Sequence, residues 1–269
     1  MGKQNVTTYF REKFPCGTSE DPPFFFFPSK SSFYFPDRTY FFQGVRTSDF
    51  MEEQVKSKQR VTDHGEVFTA EREVNAMLDL VKNETERIDS RFLEPACGNG
   101  NFLAAILNRK LEAVRKRYGK FPADFERYSV VAVMSIYGVE LLPDNAEECR
   151  ERLFQIWDSA YTQNCKSDAC DECRQAVRYI LSHNILCGDA LTLKQSNGEP
   201  IIFAEWAMVT PVLVKRRDFR LDQMLEGHDD SELWYLMNNW EYDREVKAYI
   251  PKPIKEYPLT DYRKVQNHA

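Results

Sequence analysis

The ten residues LEPACGNGNF, 93 to 102, constrain the fold of this chain more than any other segment. A short apolar run ends in an acidic residue, a proline and two glycines follow, and a helical pattern begins. This is the pattern of a strand ending at Glu94 that turns sharply into a helix starting near Gly100. Gly98 and Gly100 let the backbone turn and approach a ligand where a Cβ would collide. Exposed N–H groups at the helix start can meet an anionic group. The same residues also suit a tight strand-to-helix turn that holds no ligand.

The alternation continues on both sides. Thr69 is placed to cap a helix whose first turn carries Glu71 and Glu73, with Val74, Met77, Leu78 and Val81 as its apolar stripe. Arg91 to Glu94 is a short strand, and 100 to 118 a helix with Phe102, Leu103, Ile106 and Leu107 on one face. The β-branched content of VVAVMSIYGVEL, 130 to 141, predicts a buried strand. Pro143 opens a helix to about 160, and a second covers 171 to 182. NILCGDAL, 184 to 191, and PIIFAEWAMV, 200 to 209, read as further strands, with VLVKRRDF as a hairpin partner. Strands alternating with helices predict an α/β fold around a largely parallel sheet.

Three regions follow. Residues 1 to 50 form an irregular Phe- and Pro-rich extension, 51 to 226 the α/β domain, and 227 to 269 a polar extended tail. Met51 opens a hydrophilic stretch and is a second candidate start. The net charge of −6 argues against a globally basic coat for nucleic acid, though not against a local basic face. No apolar run reaches the roughly 20 residues of a membrane span, and no signal pattern is present, so no membrane partner is expected. The seven cysteines read as reduced thiols of a cytoplasmic protein. CKSDACDEC groups Cys165, Cys170 and Cys173, but with a single Cys-x-x-Cys it reads as a connecting loop, and no metal is assigned.

Other residues extend the glycine turn into a candidate site. Glu140 ends the strand in YGVEL, where a carboxylate can accept both hydroxyls of a ribose; the alternative is a surface Glu. Asp189 in CGDAL can accept an adenine amino group, or cap its own turn. In DHGEVFT, Phe68 offers an aromatic face and Thr69 a hydroxyl, or the pair forms a hydrophobic staple with an N-cap.

Taken in order, HGEVFTAEREVNAMLDLV, LEPACGNGNF, IYGVEL and NILCGDAL resemble the amino-methylating DNA methyltransferases of bacterial restriction–modification systems, nearest in look to the adenine-N6 group. The resemblance covers about residues 62 to 191. It implies a doubly wound, Rossmann-like sheet, truncated here after strands four to five, with S-adenosyl-L-methionine at the strand carboxyl ends. It implies that Phe68 and Thr69 line the cofactor pocket. Glu94, Ala96, Gly98 and Gly100 would surround the methionine moiety, Glu140 would hold the ribose, and Asp189 the adenine. Glu140 lies 40 residues beyond Gly100, because RKLEAVRKRYGKFPADFERY intervenes as a charged helix and linker.

The family's Asn/Asp/Ser-Pro-Pro-aromatic catalytic loop has no counterpart after Asp189. That loop holds an extruded base and orients its amino group. In its place stand Glu205 and Trp206, following a strand from Ile201 to Ala204; they either accept and stack a base, or are a solvated edge and a core ring. Lys215, Arg216 and Arg217 form the dense basic patch that would contact DNA phosphates, or a solvated face. The leading expectation is a DNA adenine-N6 methyltransferase. The alternatives are an incomplete cofactor-binding modification subunit completed by a restriction or specificity partner, and a methyltransferase for RNA or protein.

Overall fold

The structure is a computed structural model that describes residues 24–26, 56–64, 68–225, 240–243 and 248–268. The remainder of the Phe-rich extension, the stretch around Met51, and 226–239 lie outside the described residues. In chain order the elements are β1 (Phe24–Phe26), α1 (Lys58–His64), α2 (Glu71–Asp79), α3 (Lys82–Thr85), β2 (Arg91–Glu94), α4 (Asn101–Tyr118), α5 (Pro122–Met134), β3 (Ile136–Glu140), α6 (Pro143–Cys165), α7 (Asp171–Asn184) and β4 (Ile185–Cys187). There follow β5 (Ile202–Met208), β6 (Leu213–Arg220), α8 (Leu221–Leu225), β7 (Trp240–Asp243), β8 (Ala248–Pro251), β9 (Lys255–Glu256), β10 (Thr260–Asp261) and a 3₁₀ helix, Tyr262–His268.

The fold is mixed α/β. Strands β2, β3 and β4 are parallel neighbours, with β1 parallel on the far side of β2. Alternating side chains feed two cores, as the two-residue strand period requires. Phe92, Ile136 and Ile185 join the larger core with the helices. Leu93, Tyr137 and Val139 join a smaller one with Ile201, Phe203 and Leu221. The sheet is thus buried on both faces, which is the usual condition of parallel strands.

Several elements differ from expectation. Residues 130 to 134 complete a helix, and only Ile136–Glu140 is strand. Pro122 at the helix start and Asp124 in the first turn fix the N-terminus of α5. Its valines read as strand because almost the whole second half is buried, which removes the polar face that marks a helix in sequence. Ser135 ends the helix, its hydroxyl donating to the carbonyls of Ala132 at 2.8 Å and Ile88 at 3.1 Å. The cap of α2 is Ala70, not Thr69, and no side chain bonds there.

The segment 200–209 is a strand, but it pairs antiparallel with β6 in a separate sheet rather than extending the parallel one. The tail is not a free extension. β9 and β10 add to β6, and Tyr262 and Val265 are buried in the larger core. Glu126 in α5 anchors it, accepting hydrogen bonds from Tyr161 Oη, Tyr262 Oη and Arg263 Nε, each at 2.6 Å.

Candidate functional site

The loop after β2 carries the geometry that the glycines suggest. Gly98 and Gly100 have φ of +54° and +86°, the left-handed region that only glycine enters cheaply. Space excludes larger residues as well. A Cβ on Gly98 would lie 3.1 Å from the Phe68 ring, and one on Gly100 2.6 Å from Cys149 Sγ. Phe68 therefore sits directly on the loop. The loop is pinned from below by Cys97 N–H donating to Val139 O at 3.0 Å.

Beneath the loop lies Glu94, 1% exposed at the carboxyl end of β2. Neither of its carboxyl oxygens has a hydrogen-bond partner among the described residues. Burial, with Cys149 and Glu140 nearby, holds its pKa well above the ordinary glutamate range. The Cys97 thiol is raised too, first by its hydrogen bond to Cys149 and then by burial. A buried carboxyl without a donor is costly, and a group that brought a donor or a positive charge to it would lower that cost.

Glu140 closes the other side. Its Oε2 accepts the Gly98 N–H at 2.8 Å, and its Oε1 accepts the Leu142 N–H at 3.1 Å and Asn145 Nδ2 at 3.4 Å. The carboxylate thus ties the glycine loop to the start of α6. Two residues of this cluster have no place in the sequence reading. Asn145, 1% exposed, accepts Lys56 Nζ at 2.7 Å, and Lys56 also pairs with Glu148. Asn145 was accessible in principle, since a residue in the first turn after Pro143 points back toward the strand end; nothing local signals Lys56. Arg60 pairs with Asp144 at 2.7 Å, so α1 is fastened across the start of α6.

The remaining candidates fall in two groups. Thr69 and Ala96 are half-buried beside the loop, and the Thr69 carbonyl accepts Asn101 Nδ2 at 3.0 Å. Asp189 follows β4, but its carboxylate caps its own turn, accepting Leu191 N–H at 2.8 Å and the Thr192 hydroxyl at 3.1 Å. Glu205 and Trp206 are not with the loop and do not follow a strand; they lie within β5. Glu205 binds Arg91 at 2.8 Å and Arg217 at 2.6 Å. Arg91 begins β2 and Glu94 ends it, which separates the two ends by roughly 10 Å at about 3.3 Å per residue. Trp206 is a core ring whose Nε1 donates to Asn184 Oδ1 at 2.9 Å. The basic patch is likewise spent internally: Lys215 pairs with Glu256, Arg216 with Asp218, and Arg217 with Glu205.

The chain matches no protein-family model, no curated protein and no solved structure. The geometry of the loop therefore carries the functional reading. Among the described residues no cluster of three or more His, Cys, Asp or Glu is arranged to hold a metal, and no helix is long and apolar enough to cross a membrane.

Proposed function

We propose that this chain binds S-adenosyl-L-methionine at the glycine loop and belongs to the adenine-N6 DNA methyltransferases of restriction–modification type that its motifs resemble. The observation that carries the reading is Glu94, a buried carboxyl with both oxygens unpartnered beneath a loop of two left-handed glycines. An amino-acid ammonium would bring the donors that both oxygens lack, and its charge would favour the ionised form of the carboxyl that burial alone disfavours. The successive neighbours β2, β3 and β4 fit one half of a doubly wound sheet, where ligands lie at the strand carboxyl ends.

The residues present fit the cofactor. Glu94 would receive its ammonium, Glu140 its ribose hydroxyls, and Phe68 would cover the loop. Asp189 can still accept an amino group, since each carboxylate oxygen has a second lone pair. When bound, the cofactor supplies an activated methyl group on a sulfonium. Ribose binding requires Glu140 to share or release the Gly98 N–H, so the loop adjusts as the site fills.

A second reading is favoured by one observation. Glu205, Trp206 and the 215–217 patch are all engaged within the protein. They are thus unsuited to hold a flipped base, and a modification subunit whose acceptor-side residues come from a partner chain accounts for this. RNA or protein as acceptor is a further alternative.

The test is calorimetric titration of the full chain with S-adenosyl-L-methionine, wild type against Glu140→Ala and Asp189→Ala, followed by incubation of DNA with methyl-labelled cofactor. Binding lost in Glu140→Ala, with label on adenine, supports the enzyme. Binding without transfer supports the incomplete subunit. Absence of binding by the wild type removes both.

A further inference from the structure

The carboxyl oxygens of Glu94 are buried, so the site beneath the glycine loop is shut in this conformation. A ligand can meet them only after part of the enclosure moves. One neighbouring segment is attached by contacts that release readily: α1, with Lys56 just ahead of it. No side chain from Lys58 to Asp63 is buried. Arg60 meets the Asp144 carboxylate through two bonds, of 2.7 and 3.2 Å. Lys56 pairs with Glu148 and lies 3.6 Å from Asp144. The cations are 26–29% exposed and the carboxylates 45–54%, so water and salt compete for every pair.

Lys56 connects this segment to the glycine loop by two routes. α6 backs the loop with Asn145, Glu148, Cys149 and Arg152, at the three- and four-residue spacing that puts side chains on one helix face. Cys149 lies against Gly100, Glu148 accepts Asn99 Nδ2 at 3.2 Å, and Arg152 donates to Asn101 Oδ1. Lys56 Nζ donates to Asn145 Oδ1 at 2.7 Å, and Asn145 Nδ2 donates to Glu140, which accepts the Gly98 N–H. Lys56 Nζ also donates to Glu148, which holds Asn99. One ammonium thus braces Gly98 through two side chains and Asn99 through one. Asn99 Oδ1 is itself buried without a donor, so three acceptors at the loop, with the two of Glu94, stay unmet while the brace holds.

We propose that α1 and Lys56 form an ion-paired lid on the glycine loop, which gates ligand entry. While Lys56 and Arg60 hold α6, Gly98 and Asn99 are braced and Glu94 is closed off. When the pairs part, both loop residues lose their brace and the loop can swing away from Glu94. Each exposed pair is worth roughly 1.5- to 5-fold in the closing equilibrium, enough to slow entry yet weak enough to open spontaneously. The identity of the ligand, S-adenosyl-L-methionine, rests on the function proposed above; the lid rests on the contacts of Lys56 and Arg60 alone.

The lid is read first without ligand, by hydrogen–deuterium exchange of the full chain over residues 97–100. Lys56→Met with Arg60→Met is expected to speed exchange there by about 2- to 25-fold, the product of two exposed pairs. Raising salt from about 0.05 to about 0.5 M should speed it in the wild type and have less effect in the double variant. Arg60→Glu should speed it too, and adding Asp144→Lys, which restores an opposite pair, should slow it again. Unchanged exchange in α5 excludes general loosening as the cause. Stopped-flow binding of S-adenosyl-L-methionine is then expected to show on- and off-rates raised together in the Lys56→Met, Arg60→Met variant. Loop exchange that ignores these variants and salt overturns the lid. Faster exchange with an unchanged on-rate overturns its role as a gate. If the wild type and the variants all fail to bind S-adenosyl-L-methionine, the cofactor reading and the gate built on it fall, and exchange alone decides whether the lid exists.

Discussion

Replacing Glu94 by Gln tests whether its carboxyl is held ready for a ligand at a cost to the free protein. The side chain is 1% exposed and its oxygens lack donors, so burial raises its pKa. In the unfolded chain it ionises near the ordinary value of about 4.3. Between that value and the raised folded one, the native state keeps a proton that the unfolded state has lost. The stability contributed by this group is therefore full at low pH and falls as pH rises. The linkage slope for one proton is about 1.4 kcal/mol per pH unit. From pH 5 to pH 7 the wild type should lose up to about 2.7 kcal/mol relative to Glu94→Gln, whose amide does not titrate. The unpaired amide carries its own burial cost, so the slope and not the offset is diagnostic. Urea unfolding of both proteins at pH 5, 6 and 7 measures it. Saturating S-adenosyl-L-methionine should stabilise the wild type and leave the variant where it was. A difference that stays flat within about 0.5 kcal/mol over this range would refute the assignment of a protonated, unpartnered carboxyl.

Three other outcomes are expected. Glu126→Ala strips the acceptor from Tyr161, Tyr262 and Arg263 and should cost roughly 3–5 kcal/mol, with proteolytic cleavage appearing in 252–268; a loss under about 1 kcal/mol would show that the tail docks without it. Gly100→Ala forces a side chain to φ +86° and into Cys149 Sγ, and should cost about 2 kcal/mol or more. Adding Cys149→Ala should recover part of that loss, and strict additivity in the double-mutant cycle would contradict the clash. Lys110, fully buried with its Nζ donating to the carbonyls of Arg87, Ile88 and Ser90, is pulled by burial down to about 7. Its contribution is full above the unfolded value of about 10.4 and falls as pH drops toward 7. The stability difference between wild type and Lys110→Met should therefore move in the wild type's favour from pH 7 to pH 9, as urea midpoints would show.

The local elements with strong chemical punctuation were legible in the residues. The strand Arg91–Glu94, its glycine turn and the following helix stand where LEPACGNGNF puts them, because left-handed glycines and a switch of apolar period are local facts. Pro143 starts its helix, and the 202–220 hairpin forms in register. The tie from Glu140 to Gly98 was not legible, since it joins residues 42 apart in sequence.

Tertiary structure decided what local pattern leaves open. Val130 to Met134 carry strand-forming side chains, yet they end a helix because α5 is enclosed by the larger core, and packing outweighs the small differences in intrinsic propensity. Glu205, Trp206 and the 215–217 cations look available in sequence; the fold supplies Arg91, Asn184 and Glu256 as partners from far along the chain, while Arg216 is held by its near neighbour Asp218. The tail reads as polar, but Glu126 and the edge of β6 hold it in place. The sequence by itself determined where the backbone must turn at Gly98 and Gly100 and where the helices after Gly100 and at Pro143 begin, because those are constraints on neighbouring φ and ψ. Which charges stay free to meet a ligand was decided only when distant strands and helices came together, since pairing and burial are properties of the assembled core.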